Sequence, residues 1–286
     1  MEVKKSGSGG GKVIKYIVCI FLCILSIFPF YMMIINSTLP SHKISTGLNL
    51  LPGNYLGTNF KNLMNVAEEV KTVTVFKAML NSLIVTVPAV ILSIYFSSLI
   101  AYAVTAYKFK LRNFMWGFIY AIMMIPTQVS IVGFIKLTHN LHMYGTYWPL
   151  ILPAIAAPTT VYFMKQYMET GLSLEIVEAA RIDGSSEFGT FNRVVLPLLK
   201  PAMATQAIFS FVGTWNNLYT PQILLATQPE KKTMPMFVAS LQADDKHQDM
   251  GMIYTGLLLT VLPILVMYFF LSKYIIAGVA LGGVKE

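Results

Sequence analysis

The chain alternates between long stretches without a charged side chain and short stretches in which charges cluster. Six of the charge-free stretches exceed the about 20 residues that a helix needs to cross a bilayer. They are residues 16–41, 78–107, 113–135, 137–164, 201–229 and 250–272. Backbone polar groups in hydrocarbon must be satisfied within the segment, and a closed barrel would show alternating strands of about ten residues instead. The pattern predicts six transmembrane helices and an all-α polytopic membrane protein.

The composition excludes several other classes. Of 286 residues, 55% are hydrophobic and only 12% are charged, against about 25% charged in soluble domains. Six buried helices of a large soluble protein are disfavoured, because almost no chain is left for a polar surface. The hydrophobicity excludes intrinsic disorder, and the two cysteines, Cys19 and Cys23, exclude a disulfide scaffold.

The basic residues indicate an orientation. If the N-terminus is cytoplasmic, thirteen of the 21 Lys and Arg residues lie on the cytoplasmic side, including Lys108, Lys110 and Arg112 in one short loop. We therefore expect both termini in the cytoplasm. The net charge of +8 is explained by topology and lipid headgroups, without a nucleic-acid partner. A cleaved signal peptide is an alternative for the first stretch, but the apolar run continues past Pro29 without a small-residue cleavage site.

The loop after the fourth stretch, residues 169–200, combines charges with apolar residues at helical spacing. Ser173 is expected to begin a first helix, and Gly184 to end it in the left-handed conformation. Ser185 or Ser186 begins a second helix. Its apolar side and the prolines that stop it are Phe188, Phe191, Val195, Pro197 and Pro201.

Two amphipathic helices beside a membrane must bury their apolar faces. Three alternatives follow for the loop at residues 169–200. The helices lie in the headgroup region, they pack on the chain's own helices as a static cap, or they fill a groove on a soluble partner.

The string at 178–184, Glu-Ala-Ala-Arg-Ile-Asp-Gly, with Leu196-Pro197 and Pro201 after it, resembles the EAA loop of binding-protein-dependent ABC importer permeases. Ser185 and Val194 stand where Ala and Ile are frequent in that family. Further strings, such as 124–126, 150–153 and 214–216, resemble its carbohydrate-uptake branch, the MalG-like inner-membrane components. Together the matches cover about residues 77–286.

The resemblance implies the ABC importer type I permease fold and an ATP-driven importer, with sugars as the substrate. Its expected partners are a second homologous permease subunit, two ATPase subunits, an extracytoplasmic solute-binding protein, the sugar and the bilayer of a bacterial or archaeal plasma membrane. The chain itself has no Walker sequence. It is therefore expected to be no enzyme and to hold no cofactor, with ATP and Mg on the partner ATPase.

The same resemblance assigns residues of the loop to coupling with the ATPase. They are Glu178, Ala179, Ala180, Asp183, Gly184, Phe188, Leu196 and Pro197. The two alanines allow close helix approach, and the two carboxylates offer charge to basic groups of the partner.

A sugar pathway needs hydrogen-bonding groups together with aromatic rings, because a pyranose has polar rims and apolar faces. Polar and aromatic residues within the charge-free stretches are the candidates for it. They are Trp215, Asn216, Asn217, Tyr219, Gln222, Asn81 and Gln128. For each of them, a hydrogen bond between helices alone is an equal alternative. No metal site is expected, and a solvated loop is the simpler interpretation of Asp244, Asp245, His247 and Asp249.

The expected organisation is a cytoplasmic tail at residues 1–12 and a permease domain at 13–286, with its core at about 77–277. A non-sugar solute such as glycerol phosphate is the alternative substrate. An ion-coupled secondary transporter and a membrane enzyme are the competing classes. The first is disfavoured because the charge-free stretches lack ionisable Asp, Glu, Lys and Arg residues, and the second because no catalytic pair is present.

Overall fold

The computed structural model describes residues 9–69, 73–243 and 249–282. The regular structure in these ranges is helical, which confirms the all-α prediction. The helices are α1 (Gly9–Ser37), α2 (Ser41–Ser45), α3 (Leu56–Glu69), α4 (Val75–Ala106), α5 (Arg112–Met123), α6 (Ile131–Asn140), α7 (Trp148–Ile151), α8 (Pro158–Gly171), α9 (Leu174–Ile182), α10 (Glu187–Thr190), α11 (Leu196–Leu198), α12 (Lys200–Trp215), α13 (Tyr219–Leu224), α14 (Met234–Gln242) and α15 (Met250–Gly282). Short 3₁₀ turns lie at Thr127–Ser130, Leu152–Ile155 and Pro229–Lys231, and a π-helical turn lies at Phe191–Val195.

Three helices in the described part of the chain are long and apolar enough to cross a membrane. They are Lys12–Ser37, Val75–Ala106 and Met250–Tyr274. A fourth span results if Glu187–Leu198 and Lys200–Trp215, which meet at an angle of 79°, are taken together. The three long helices correspond to the first, second and sixth charge-free stretches, and Lys200–Trp215 corresponds to the start of the fifth.

The third and fourth charge-free stretches form shorter helices. α5 ends just before Pro126, and α8 begins at Pro158 after the 3₁₀ turn that contains Pro153. Proline lacks the N–H that continues a helix and disfavours the helical conformation of the residue before it. Within the described ranges, three helices are long and unbroken and the bent pair adds a fourth candidate span, where the charge pattern predicts six.

The chain divides into two compact units. One comprises Met1–Val70 with Ser240–Leu259, and the other comprises Lys71–Ala239 with Thr260–Glu286. The division differs in kind from the tail and permease domain of the sequence analysis, whose boundaries stay predictions.

In the first unit, the side chain of Asn59 holds the end of α1. Its amide donates to the carbonyls of Ser37, at 2.8 Å, and Leu39, at 2.9 Å. Gly251 packs directly on this site, because a Cβ at that position would lie 2.5 Å from Asn59 Nδ2. A buried amide in such contact fixes the turn between α1 and α2.

Asp249 precedes α15 in the same unit, and its carboxylate is a hydrogen-bond acceptor. Ser41 Oγ donates to Oδ1 at 2.5 Å, Asn62 Nδ2 donates to Oδ2 at 2.9 Å, and the Met252 N–H donates to Oδ1 at 3.2 Å. Burial raises the pKa of this carboxyl, but the hydrogen bonds to its charged form outweigh that effect and leave the pKa below its usual value.

The second unit is built around α4, which packs against α8 and α12. Its buried positions include several small polar residues, Ser82, Thr86, Ser93, Ser97 and Ser98. Small side chains let helix backbones approach closely in a membrane, where the hydrophobic effect does not drive helices together. At its start, Thr74 Oγ1 accepts a hydrogen bond from the Lys77 N–H at 3.3 Å.

Candidate functional site

The loop between α8 and α12 is the candidate site, and its turns follow the expected local rules. Ser173 occupies the N-cap position of α9, although its side chain makes no capping hydrogen bond. Gly184 has φ +81°, as predicted for the residue that ends this helix. Ser186 caps α10, since its Oγ accepts from the Gly189 N–H at 3.2 Å.

One face of the loop is anchored in the protein. Val177, Phe191 and Val195 are each 0% exposed, and they belong to an apolar cluster with residues of α4, α8 and α12. Phe191 lies against the ring of Tyr102, with the ring centroids 5.5 Å apart. The interpretation of the loop as a cap on the chain's own helices therefore holds for this face.

The other face is exposed and carries large apolar side chains. Ile182 is 86% exposed and Phe188 is 65% exposed, and Leu174 and Ile176 are also exposed. Exposed apolar groups that cluster beside charges mark interaction sites rather than ordinary surface. The loop therefore has one buried face and one face that is free for a partner or for lipid.

The residues predicted to couple to an ATPase lie on the accessible part of the loop. Six of them are exposed and two are half-buried. The exposed ones are Glu178, Ala179, Asp183, Gly184, Phe188 and Pro197, and the half-buried ones are Ala180 and Leu196. Their accessibility is compatible with a contact surface, and their role stays a prediction.

Glu187 joins the loop to the end of α4, a contact that the sequence analysis did not predict. Arg181 Nε donates to Glu187 Oε1 at 2.8 Å, and Tyr107 Oη donates to Oε2 at 2.6 Å. Tyr102 Oη reaches the same oxygen at 3.3 Å. The Arg181 guanidinium also lies over the Tyr107 ring, 5.4 Å from its centroid. The Glu187 carboxylate thus accepts hydrogen bonds from two segments that lie about 80 residues apart in the chain.

The charge of Glu187 is stabilised by these partners. The hydrogen bond from Tyr107 and then that from Arg181 lower the pKa of the Glu187 carboxyl below its ordinary value. Burial and the contact with Glu187 raise the pKa of Tyr107, so that its hydroxyl stays protonated and donates. In the sequence, Tyr102 and Tyr107 stand at the end of a charge-free stretch. That position does not identify Glu187 as the group to which they donate.

Two of the predicted pathway residues donate hydrogen bonds to carbonyls within the protein. Trp215 is 1% exposed, stacks on Phe211 and donates from Nε1 to the Thr260 carbonyl at 3.0 Å. Asn81 is fully buried, and its amide donates to the carbonyls of Glu230 and Lys232 at 3.0 and 2.9 Å. For these two, the geometry favours the alternative of structural hydrogen bonds.

Four other candidates follow one another from the end of α12 through α13. Asn216, Tyr219 and Gln222 are exposed, and Asn217 is half-buried with its Oδ1 accepting from the Thr220 N–H at 3.3 Å. The helix α12 ends at Trp215, so Asn216 and Asn217 lie at the break between α12 and α13, and Tyr219 and Gln222 lie in the short helix α13. Gln128 lies in the 3₁₀ turn after Pro126, and its side chain is outside the described part of the chain, as are Asp244, Asp245 and His247.

The chain combines apolar spans, a break with accessible amide and aromatic groups, and an anchored loop with an exposed face. Together these features define a membrane transport subunit. Residues 93–279 match the family described as "Binding-protein-dependent transport system inner membrane component". The chain belongs to this family. It is a multi-pass plasma-membrane protein and a permease subunit of an ABC importer.

Relatives of the chain are sugar and glycerol phosphate permeases. The chain is 34% identical to the arabinooligosaccharides transport system permease protein AraQ of Bacillus subtilis, over 92% of both chains. It is 28% identical to the sn-glycerol-3-phosphate transport system permease protein UgpE of Salmonella typhi, over 88% of this chain and 90% of that one.

A solved structure shows the same fold. It belongs to a bacterial ABC transporter involved in the import of the acidic polysaccharide alginate, with a TM-score of 0.77 and 18% identity. The alignment covers 95% of this chain and 99% of that one. The fold of the chain is therefore that of a type I importer permease.

Proposed function

We propose that the chain forms half of the translocation pathway of an ATP-driven sugar importer. A second homologous permease completes the pathway, two ATPase subunits hydrolyse ATP, and an extracytoplasmic binding protein delivers the sugar. Both termini and the loop at residues 169–200 face the cytoplasm. ATP-driven closure of the ATPases moves this loop, and the spans rock between inward-open and outward-open states.

The two-faced loop is the observation that supports this proposal. Its buried face, with Val177, Phe191 and Val195, ties it to the membrane helices. Its exposed face presents Ile182 and Phe188 beside acidic residues. A short amphipathic helix that fills a groove on a soluble partner needs such an arrangement.

A neutral carbohydrate fits the chain better than a phosphate ester. An anion at membrane depth needs a cationic partner, and the six charge-free stretches contain no Lys or Arg. Amide and aromatic groups at 216–222 offer the hydrogen bonds and flat surfaces that sugar rings use. The likeness to AraQ points to an oligosaccharide.

Purification of the tagged chain from its own membranes in mild detergent tests the assembly. We expect an ATPase and a second permease to co-purify, identified by mass spectrometry. Recovery of the chain alone, with uptake that persists after ATP depletion, would contradict the proposal and favour an ion-coupled carrier.

Uptake by a deletion strain tests the substrate. We expect loss of labelled oligosaccharide uptake, restored by the gene in trans, while glycerol phosphate uptake is unchanged. The reverse result would assign the chain to glycerol phosphate import, the alternative that the likeness to UgpE offers.

A further inference from the structure

We propose that Glu187 transmits the movement of the coupling loop to membrane helix α4. The inference rests on the proposed function, in which α9 docks on an ATPase. Arg181, Glu187, Tyr107 and Tyr102 are called here the Glu187 link. Glu187 is a positioning residue, which contacts neither substrate nor nucleotide.

The two ends of the link lie on the parts that must move together. Arg181 is in the last turn of α9, next to the exposed Ile182, and Glu187 is the first residue of α10. Tyr107 follows directly on the last residue of α4, and Tyr102 lies in its last turns. α4 is a 32-residue helix at the centre of its unit. A displacement of its end is therefore a displacement of a whole membrane span.

The bonds of the link are directional. Elsewhere the loop contacts α4 through apolar packing and through a hydrogen bond from the Tyr95 hydroxyl to Asn192 Oδ1, at 3.2 Å, in the π-helical turn. Val177 and Phe191 pack beneath the loop, and apolar contacts of this kind do not impose a direction. A carboxylate that accepts from a guanidinium and from a phenol holds both donors within narrow distances and angles. The link therefore keeps α9 and the end of α4 in register when the apolar contacts shift.

The tyrosines distinguish the link from an ordinary surface ion pair. The side chains of Arg181 and Glu187 are 33% and 47% exposed, and exposed pairs of this kind stabilise proteins little. Tyr102 is 2% exposed and its hydroxyl aims at the carboxylate from within the apolar cluster. The Glu187 carboxylate thus accepts a hydrogen bond from a buried side chain of α4.

The test uses the complete importer, with its ATPases, partner permease and binding protein, in proteoliposomes. ATP hydrolysis and substrate uptake are measured together for Glu187→Gln, Tyr107→Phe and the double variant. Tyr107→Phe keeps the ring beneath Arg181 and removes only the hydroxyl. Glu175→Gln is the matched control, because it removes an equal charge from an exposed position of α9.

We expect assembly and ATP hydrolysis to be retained in both single variants. Uptake per ATP hydrolysed should fall about tenfold, the effect of losing one hydrogen bond to a charged group. The double variant should be no worse than Glu187→Gln, because both changes break one link. Glu175→Gln should behave as the wild type.

Three results would overturn the inference. Uptake per ATP that is unchanged in both single variants would show that the link transmits nothing. A parallel loss of assembly, hydrolysis and uptake would show a merely structural role, and an equal loss in Glu175→Gln would show a general effect of charge. If the wild-type chain recruits no ATPase, the proposed function itself fails, a result distinct from these three.

Discussion

Gly184 is the residue at which the backbone constrains the loop most. Its φ of +81° lies in the left-handed region, and a Cβ built there meets no atom within 4 Å. A side chain at position 184 therefore has room, and what limits substitution is the left-handed backbone conformation. A β-branched residue in this conformation destabilises the fold by about 1–2 kcal/mol, whereas asparagine adopts the conformation at lower cost.

We predict that Gly184→Val uncouples ATP hydrolysis from uptake while membrane insertion is retained, because the turn after α9 is displaced. Gly184→Asn is the control and should keep most of the uptake. Both are measured as uptake by cells with equal amounts of the chain in the membrane. Normal uptake in the valine variant would contradict the assignment of this turn to coupling.

Trp215 and Asn217 lie two positions apart, and we predict different results for them. Trp215→Phe loses the hydrogen bond to Thr260 and some packing, so the thermal midpoint in detergent should fall by the equivalent of about 1 kcal/mol. Asn217→Ala loses the hydrogen bond from the Thr220 N–H, so the midpoint should fall by the equivalent of about 1 kcal/mol, and the rate or apparent affinity of uptake should fall as well. Wild-type transport by Asn217→Ala would remove it from the pathway.

At the scale of single residues, the sequence predicts what depends on local backbone rules. The left-handed Gly184 and the cap at Ser186 follow from residue type and spacing. The roles of Glu187 and Trp215 depend on which segment approaches them in space. Because the two tyrosine partners of Glu187 lie about 80 residues earlier in the chain, spacing within the loop carries no information about them.

At the scale of elements, the second helix of the loop shows where periodicity fails. The spacing predicts Phe188, Phe191 and Val195 on one side, but Phe188 is exposed while the other two are buried. The π-helical turn Phe191–Val195 widens the helix at this point and shifts the register between the two sides. Phe188 therefore lies on the exposed face of the loop.

The two faces of α9 should respond differently to the same chemical change. Ile182→Ser removes an apolar group that is 86% exposed, so the stability should change by no more than about 0.5 kcal/mol. We expect it to reduce co-purification of the ATPase. Val177→Ser places a hydroxyl at a fully buried site and should destabilise by about 2–3 kcal/mol. Thermal midpoints and pull-down yields separate the two effects, and equal yields for Ile182→Ser and wild type would remove this face from the interface.

At the scale of the whole molecule, the charge-free stretches predict the helical class and the family signature predicts the fold. They do not predict where a stretch breaks into shorter helices. The 3₁₀ turns and short helices at 123–158 arise where prolines interrupt apolar sequence, and hydropathy does not register a missing N–H. Length and hydropathy therefore identify the apolar stretches but not the breaks within them.

The protein should lose stability in acid through Asp249. The pKa of Asp249 in the folded protein lies below its ordinary value, so ionised Asp249 stabilises the fold at any pH above that ordinary pKa. This contribution is lost as the pH falls through the folded pKa. We expect no contribution of this residue to pH dependence between about pH 5 and 8, and a decline of the thermal midpoint below about pH 4. Asp249→Asn should decline less steeply over the acid range. An equally steep decline in the variant would assign the acid sensitivity to other carboxylates.

The exposed face of the loop between α8 and α12 also affects how the cell handles the protein. A copy made in excess of its partners carries Ile182 and Phe188 into water, and uncovered apolar patches are bound by chaperones and recognised by proteases. Surplus chains should therefore be degraded rather than accumulate. The abundance of the chain should then follow the synthesis of its partners, so that the surface proposed to receive the ATPase would also balance the numbers of subunits.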